Sequence, residues 1–344
     1  MTVAVPSPDL AARTLQLVDV PSESRSESAA VELVRELMPG APVYDDGEAL
    51  LYGEGPVVLA GHLDTIPAQG NIPGRIEDGV VHGLGSSDMK GGVAVMLRIA
   101  SEVTEPSRDL TFLFYECEEI DGKYNGLARL AENSPDLLAG DFAVLLEPTN
   151  GAIEGGCKGT LRVEITTKGI AAHSARPWKG HNAIHDAAPV LARLSAYEAE
   201  TITVDGLDYH EALQAVGISG GIAGNVIPDR CVVTVNYRYA PDKDTEAALA
   251  HVRQVFDGFE VELTDAADGA RPGLLLPAAR AFIEALGVQV NAKEGWTDVA
   301  RFSVLGIPAV NYGPGDPNLA HMDDERCPVA QYVDAEAALL RWLA

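Results

Sequence analysis

No C-x-x-C pair occurs in this sequence, and its four cysteines, Cys117, Cys157, Cys231 and Cys327, stand far apart. That excludes a zinc knuckle and a dense disulfide frame, and leaves four free thiols as the expectation. Positive charge is also scarce: 25 Lys and Arg against 51 Asp and Glu give a formal charge of -26. Nucleic acid is bound by clustered cations that displace phosphate counterions, so it is not expected as a partner. An anionic small molecule would need cations placed locally. No uninterrupted apolar run approaches the roughly 20 residues of a membrane span, and the opening MTVAVPSPDLAARTLQLVDV has no basic segment followed by an apolar one. A cytoplasmic protein with no membrane partner is expected. Solenoid repeats and low-complexity segments are lacking too.

What is present is a chain of 344 residues, 47% of them apolar, enough for a large core and long enough for two domains. Ser7 as a cap, Pro8 in the first turn and apolar Leu10, Leu15 and Leu17 or Val18 predict a first helix. A second is expected around residues 26–38. Val57-Val58-Leu59-Ala60, the run 110–115 and the run 142–146 are short and continuously apolar, as in strands buried on both faces. Helical patterns at 91–103 and 125–132 separate them. This alternation predicts an α/β fold with a mixed, mostly parallel sheet and helices on both faces.

From about Lys158 the texture changes to alternating segments at 161–167, 202–204 and 231–239, interleaved with helical stretches at 181–198 and 245–256. A smaller inserted α+β domain with an antiparallel sheet is expected. The first texture returns after Gly269, with a helix at 277–286 and strand pieces near 302–305 and 308–312. The expected domains are thus 1–157 with 269–344, discontinuous, and 158–268.

The chemistry gathers at the predicted strand ends. His62 and Asp64, two apart at the end of the first buried strand, project in one direction, and ligand sites in such sheets lie at the carboxyl ends of strands. A histidine backed by a carboxylate that fixes its tautomer suits zinc. Asp88 lies in Gly83-Leu84-Gly85-Ser86-Ser87-Asp88-Met89-Lys90-Gly91-Gly92, just before a helix, where its bland role would be an N-cap. A phosphate loop is not matched, since Gly and not Ser or Thr follows Lys90. Glu118 and Glu119 follow the second buried strand, and Glu147 ends the third. Carboxylates brought together this way are costly without a cation. His321, after the loop Gly313-Pro314-Gly315, adds a second imidazole. Two histidines and three carboxylates suffice for two zinc ions with an open position for water.

At these residues the chain resembles the M20 family of metallopeptidases and deacylases, matching in order its H-x-D, G-x-x-D-M-K-G, E-E, E-P and late H over nearly the whole chain. The resemblance implies a metal-dependent amidohydrolase with two zinc ions, or cobalt in their place. His62, Asp88 and Glu147 would hold one ion and Asp88, Glu119 and His321 the other, with Asp88 bridging through a cis Asp88-Met89 peptide. Glu118 would be the general base, Asp64 would orient His62, and His173 would stabilise the oxyanion from a lid donated across a homodimer. Ser174-Ala175-Arg176-Pro177-Trp178, Gly224-Asn225-Val226-Ile227-Pro228, Val235-Asn236-Tyr237-Arg238 and Gly295-Trp296-Thr297-Asp298 resemble the bacterial desuccinylases of the family. They imply a small acylated amino acid as substrate, its carboxylates gripped by Lys158, Arg176, Asn225, Arg238 and Thr297. The chain departs from that branch at Cys157-Lys158, where adjacent arginines are usual, and at Glu116-Cys117-Glu118-Glu119, where the usual run is D-E-E.

Other classes compete. Another deacylase or dipeptidase of the same family would share every catalytic residue. Gly217-Ile218-Ser219-Gly220-Gly221 fits G-x-S-x-G, but a serine-hydrolase elbow needs a helix after the turn, and the glycines that follow do not supply one. A non-catalytic binding protein would have no need of Glu118.

Overall fold

The computed structural model describes residues 9–103 and 105–344. Ser7 and Pro8, read above as cap and first turn, lie outside the described residues; the helix they were read to open spans Asp9–Val18. The chain divides into two compact units. One comprises the residues up to Gly156 with Pro272–Asn291 and Asp298–Ala344; the other comprises Cys157–Arg271 and Ala292–Thr297. Residues 292–297, read above as part of the catalytic domain, pack with the second unit.

Among the described residues the first unit carries, save for Ala292 at the end of its last strand, an eight-stranded sheet in the order Tyr44–Asp45, Ala49–Tyr52, Leu110–Tyr115, Val57–His62, Phe142–Leu145, Ala309–Asn311, Ile153–Gly155, Val290–Ala292. Its middle four strands are parallel, and Ala49–Tyr52 and Ile153–Gly155 flank them antiparallel. Every residue of Val57–His62 and Phe142–Leu145 is buried, which is why these strands read as continuous apolar runs without alternation. The helices Asp9–Val18, Lys90–Glu102, Pro277–Leu286 and Val329–Leu343 pack on one another and on Leu59, Phe112, Phe114, Phe142 and Val144. Gly126–Asn133 and Val299–Val304 form a second helical group.

Two glycines bring backbones close beside the future site. A Cβ on Gly92, in the first turn of Lys90–Glu102, would lie 2.2 Å from the Leu146 carbonyl oxygen, and one on Gly313 would lie 2.6 Å from the carbonyl oxygens of Leu146 and Glu147. Only glycine lets helix and loop close on the strand end that presents Glu147.

Phe142, Phe282 and Trp342 pack mutually, edge to face at Trp342 and tilted between the two phenylalanines, with centroids 4.7 Å apart for Phe282–Trp342 and 5.4 Å for Phe142–Phe282. Phe282 is fully buried there. Phe282→Ala should cost about 3–5 kcal/mol through lost transfer energy and a cavity, measured as a shift of the denaturation midpoint at unchanged slope. A loss below about 1 kcal/mol would mean the cluster does not anchor the C-terminal helix.

The expected strand at 302–305 is instead helix, Val299–Val304. Phe302 is buried but Val304 is 86% exposed, so the run is apolar without being covered on both faces, and Gly306 at φ +76° follows it. The stretch 181–198 holds two short helices, Ala183–Asp186 and Ala188–Ser195, because Pro189 opens the second and cannot continue the first.

The second unit has a four-stranded antiparallel sheet in the order Ala212–Gly220, Arg230–Tyr239, Gly159–Lys168, Val261–Ala267. Gly159–Lys168 alternates buried and partly exposed residues, as a sheet with one covered face should. The helices Ala183–Asp186, Ala188–Ser195 and Thr245–Val255 cover that face over Leu161, Val163, Val233 and Val235. Ser219 of the G-x-S-x-G match lies within a strand, opposite Val232, with no strand-to-helix turn. The four cysteines are free and buried. Among the described residues no helix is long and apolar enough to cross a membrane.

Candidate metal centre

The four central parallel strands end on one edge of the sheet, and their carboxyl ends deliver the expected groups. His62 closes its strand, Glu118 and Glu119 follow Leu110–Tyr115, Glu147 follows Phe142–Leu145, and the Gly313–Gly315 loop after Ala309–Asn311 leads to His321. Asp88 comes from the loop before Lys90–Glu102, and its peptide to Met89 is cis, as the family resemblance implied. Its bland role is not taken up, because Met89 and not Asp88 occupies the N-cap.

These side chains form one connected network. His62 Nε2 lies 3.3 Å from Asp88 Oδ1 and 3.9 Å from Glu147 Oε1. His321 Nε2 lies 3.8 Å from Asp88 Oδ2 and 2.8 Å from Glu119 Oε2. Asp88 thus presents one oxygen to each imidazole. Ligand atoms of His62, Asp88 and Glu119 all fall within 4.8 Å of one another, a grouping able to hold a metal ion.

Asp64 is fully buried beneath the network. Its Oδ1 is 3.3 Å from His62 Nδ1, which turns Nε2 toward Asp88. The same carboxylate accepts the Glu118 amide at 2.9 Å, the Glu119 amide at 3.0 Å and the Ser24 hydroxyl at 2.7 Å. One aspartate therefore orients an imidazole and fixes the backbone of the glutamate pair. Cys117, just before that pair, has φ +60°, and Glu27 accepts both its amide and its thiol at 3.2 Å. A left-handed non-glycine residue is strained, and the buried Glu27 holds it in place. His321 is left-handed as well, at φ +66°.

The electrostatics are those of crowded negative charge. Burial, joined by Glu147, Asp298 and Glu119, pushes the Glu118 carboxyl well above its ordinary range, with His62 opposing. Burial also raises Glu119, against its hydrogen bond to His321 and with Asp88 adding to the rise. Burial alone would lower His62, but Asp64 and Asp88 lift it well above the usual histidine value. His321 is raised to about 9, chiefly by the Glu119 hydrogen bond. A divalent cation would relieve this repulsion, and two imidazoles with three carboxylates are a donor set that suits zinc. The residues present fit a metal.

The remaining expected site residues lie in the second unit. His173 pairs across a short ribbon with Val226, Ser174 N–H donates to the Asn225 carbonyl at 2.9 Å, and Arg176 N–H donates to the His173 carbonyl, so His173, Arg176 and Asn225 are neighbours. The exposed His173 accepts the Ala175 amide on Nδ1 at 3.0 Å. Arg238 donates to Asn236 Oδ1 at 3.2 Å. Thr297 is buried, its carbonyl facing the Cys157 thiol. The Lys158 ammonium sits 2.6 Å from Glu294 Oε2 and donates to the His210 carbonyl at 2.5 Å. A side chain read as gripping a ligand carboxylate is held by one from its own chain.

A model of peptidase family M20/M25/M40 matches residues 58–344, a span containing all five network residues. The chain belongs to this M20 family. A Mycobacterium tuberculosis protein named "Putative succinyl-diaminopimelate desuccinylase DapE" is 53% identical over 96% of each chain. The succinyl-diaminopimelate desuccinylase of Corynebacterium glutamicum is 42% identical over 96% of this chain and 95% of its own. Among solved structures, a Staphylococcus aureus tripeptidase aligns with a TM-score of 0.78 at 22% identity, covering 97% of this chain and 96% of that one, a likeness of fold. An M20 chain is a metal-dependent hydrolase, and the network at the sheet edge is where this one would hold metal.

Several contributors to this M20 site were not picked out from the sequence. Ser24, Glu27 and Glu325 act through hydrogen bonds to backbone or to another carboxylate, and their spacing carries no pattern. Asp298 was quoted in a motif and given no role. It is fully buried, held by the Asn125 amide at 2.9 Å and Arg301 at 2.6 Å, and its charge reaches Glu118.

Proposed function

We propose that this chain is a dinuclear zinc amidohydrolase of the cytoplasm that cleaves the N-succinyl amide of N-succinyl-LL-2,6-diaminopimelate, releasing succinate and LL-2,6-diaminopimelate. The names of its two relatives support the substrate. The observation that carries the chemistry is Asp88, with an oxygen toward each of His62 and His321. His62, Asp88 and Glu147 would hold one ion, and Asp88, Glu119 and His321 the other. Bound there, the metal would acidify water and polarise the amide carbonyl. Glu118 would take the proton of that water and return it to the leaving nitrogen as the C–N bond breaks. Its raised pKa and its fixed backbone suit a group that must accept and then release a proton.

His173 would stabilise the oxyanion, donated by the second unit of a partner subunit. Because its Nδ1 accepts the Ala175 amide, the proton of the neutral ring resides on Nε2, the tautomer needed to donate outward. A homodimer is supported by Ala212–Gly220, an outer strand among the described residues, whose Val216 and Ile218 are 60% and 55% exposed. Subunit mixing tests it. His173→Ala and Glu118→Gln homodimers, each nearly inactive, should recover to about a quarter of wild-type activity after random exchange, since half the dimers then have one intact site of two. No recovery despite verified exchange would make His173 act within its own chain or not at all.

A second reading, another M20 deacylase or dipeptidase acting on a less anionic substrate such as N-acetylornithine, is favoured by the pairing of Lys158 with Glu294. Comparison of kcat/KM on N-succinyl-LL-diaminopimelate and N-acetylornithine, with zinc or cobalt supplied, decides between them. Preference for the succinyl substrate supports the first reading, and preference for acetylornithine supports the second.

A further inference from the structure

Glu325 is almost completely buried, four residues after His321, yet nothing in the hydrolytic chemistry calls on it. Its carboxylate is enclosed by the backbone of the loop that ends in Asp88: Oε1 accepts Ser87 N–H at 2.8 Å and Asp88 N–H at 3.0 Å, and Oε2 accepts Gly85 N–H at 2.9 Å. The two segments are joined again by Gly83 N–H on the Glu325 carbonyl at 3.0 Å and by the Ser87 hydroxyl on the Arg326 carbonyl at 3.0 Å. Just beyond, Arg326–Pro328 pairs as a strand with Val80–His82. Glu325 is thus fixed on its C-terminal side by a sheet and holds, on its own side chain, three amides converging as in an anion-binding nest.

We infer that Glu325 is a positioning residue of the metal centre: its buried carboxylate folds the 85–88 loop that aims Asp88 and ties that loop to the segment bearing His321. The two residues on either side of the second metal position come from sequence segments more than two hundred residues apart, and Glu325 is where their backbones are locked together. Asp88 must keep one oxygen 3.3 Å from His62 Nε2 and the other 3.8 Å from His321 Nε2, and a loop free to rotate about Ser87 would hold neither. A carboxylate suits this role because both its oxygens only accept. In a glutamine one oxygen becomes an NH2 donor facing either the Gly85 amide or the Ser87 and Asp88 amides, leaving at least one buried N–H without an acceptor.

The inference rests on the reading of the network as a metal site, and the experiment separates the two. Metal-free wild type, Glu325→Gln and Glu325→Asp are titrated with zinc in competition with a chromophoric chelator, and amide hydrogen exchange is followed on the same metal-free proteins. Wild type should bind two equivalents. Glu325→Gln should bind about 10- to 100-fold more weakly, the range for loss of a partner that orients metal ligands, with faster exchange confined to residues 85–88. Glu325→Asp, which keeps the charge but is one methylene too short for all three amides, should fall between, and it serves as the test if the glutamine variant does not fold. Wild-type zinc affinity in the variants overturns the role of Glu325. So does weakened binding with protection lost throughout the first unit, because that marks general destabilisation. A wild type that takes up no zinc instead removes the metal-site reading itself.

Discussion

Asp88→Ala protein should emerge folded, unable to retain either metal, and without hydrolytic activity above the background rate. Asp88 presents a separate oxygen to each imidazole, at 3.3 Å and 3.8 Å, so its loss should strip a ligand from both positions at once. Glu119→Gln, which changes a single ligand beside His321, should weaken one metal and leave the other. Elemental analysis of the two purified variants, beside wild type exhaustively treated with chelator and then reloaded, tests the difference. If Asp88→Ala keeps two tightly held ions, Asp88 does not bridge. If chelated wild type stays fully active, metal chemistry is the wrong reading of this edge of the sheet.

Glu118→Gln should show the opposite pattern, with a full metal complement and turnover lowered by at least the roughly 100-fold typical of general-base loss. The substitution preserves the backbone amide that donates to Asp64 at 2.9 Å, so the geometry of the neighbouring Glu119 survives while the proton acceptor does not. The effect should fall on kcat more than on KM, since Glu118 is assigned to proton transfer and not to holding substrate. Metal analysis finding Glu118→Gln stripped of zinc would reverse the roles of the two glutamates.

How much of this was legible in the sequence depended on whether a residue's job leaves a local pattern. Val57–His62, Leu110–Tyr115 and Phe142–Leu145 were readable because strands covered on both faces are continuously apolar, and the residues that terminate them were readable because active groups collect where such strands end. The same rule misread 302–305, where Val304 is apolar and exposed: a run of four does not reveal whether anything covers it. The edge strands Ala212–Gly220 and Val261–Ala267 passed unread because their exposed, glycine- and acid-bearing sequences lack a buried stripe. At the site, His62, Asp88, Glu119, Glu147 and His321 announce themselves by residue type. Glu27 and Glu325 do not, since a carboxylate that serves backbone amides looks in sequence like any surface acid. Lys158 shows the converse: type and position suggested a ligand contact, and only the structure supplies Glu294 as its partner.

The strand Ala309–Asn311 lies in the sheet between Phe142–Leu145 and Ile153–Gly155, which sets an order of events as the chain leaves the ribosome. The neighbours on both sides are made long before it, and the whole of Cys157–Arg271 is synthesised in between. Until residues 309–311 arrive, Phe142–Leu145 has an unpaired edge and Ile153–Gly155, which joins the sheet through Ala309–Asn311, has nothing to hold it there, an invitation to pairing with foreign strands. His321 and Glu325 follow that strand, so until they arrive the nascent protein lacks one ligand and the residue that positions another. Insertion of one short strand closes the sheet and completes the metal centre together, and chains that fail to insert it should both aggregate and lack tightly bound metal.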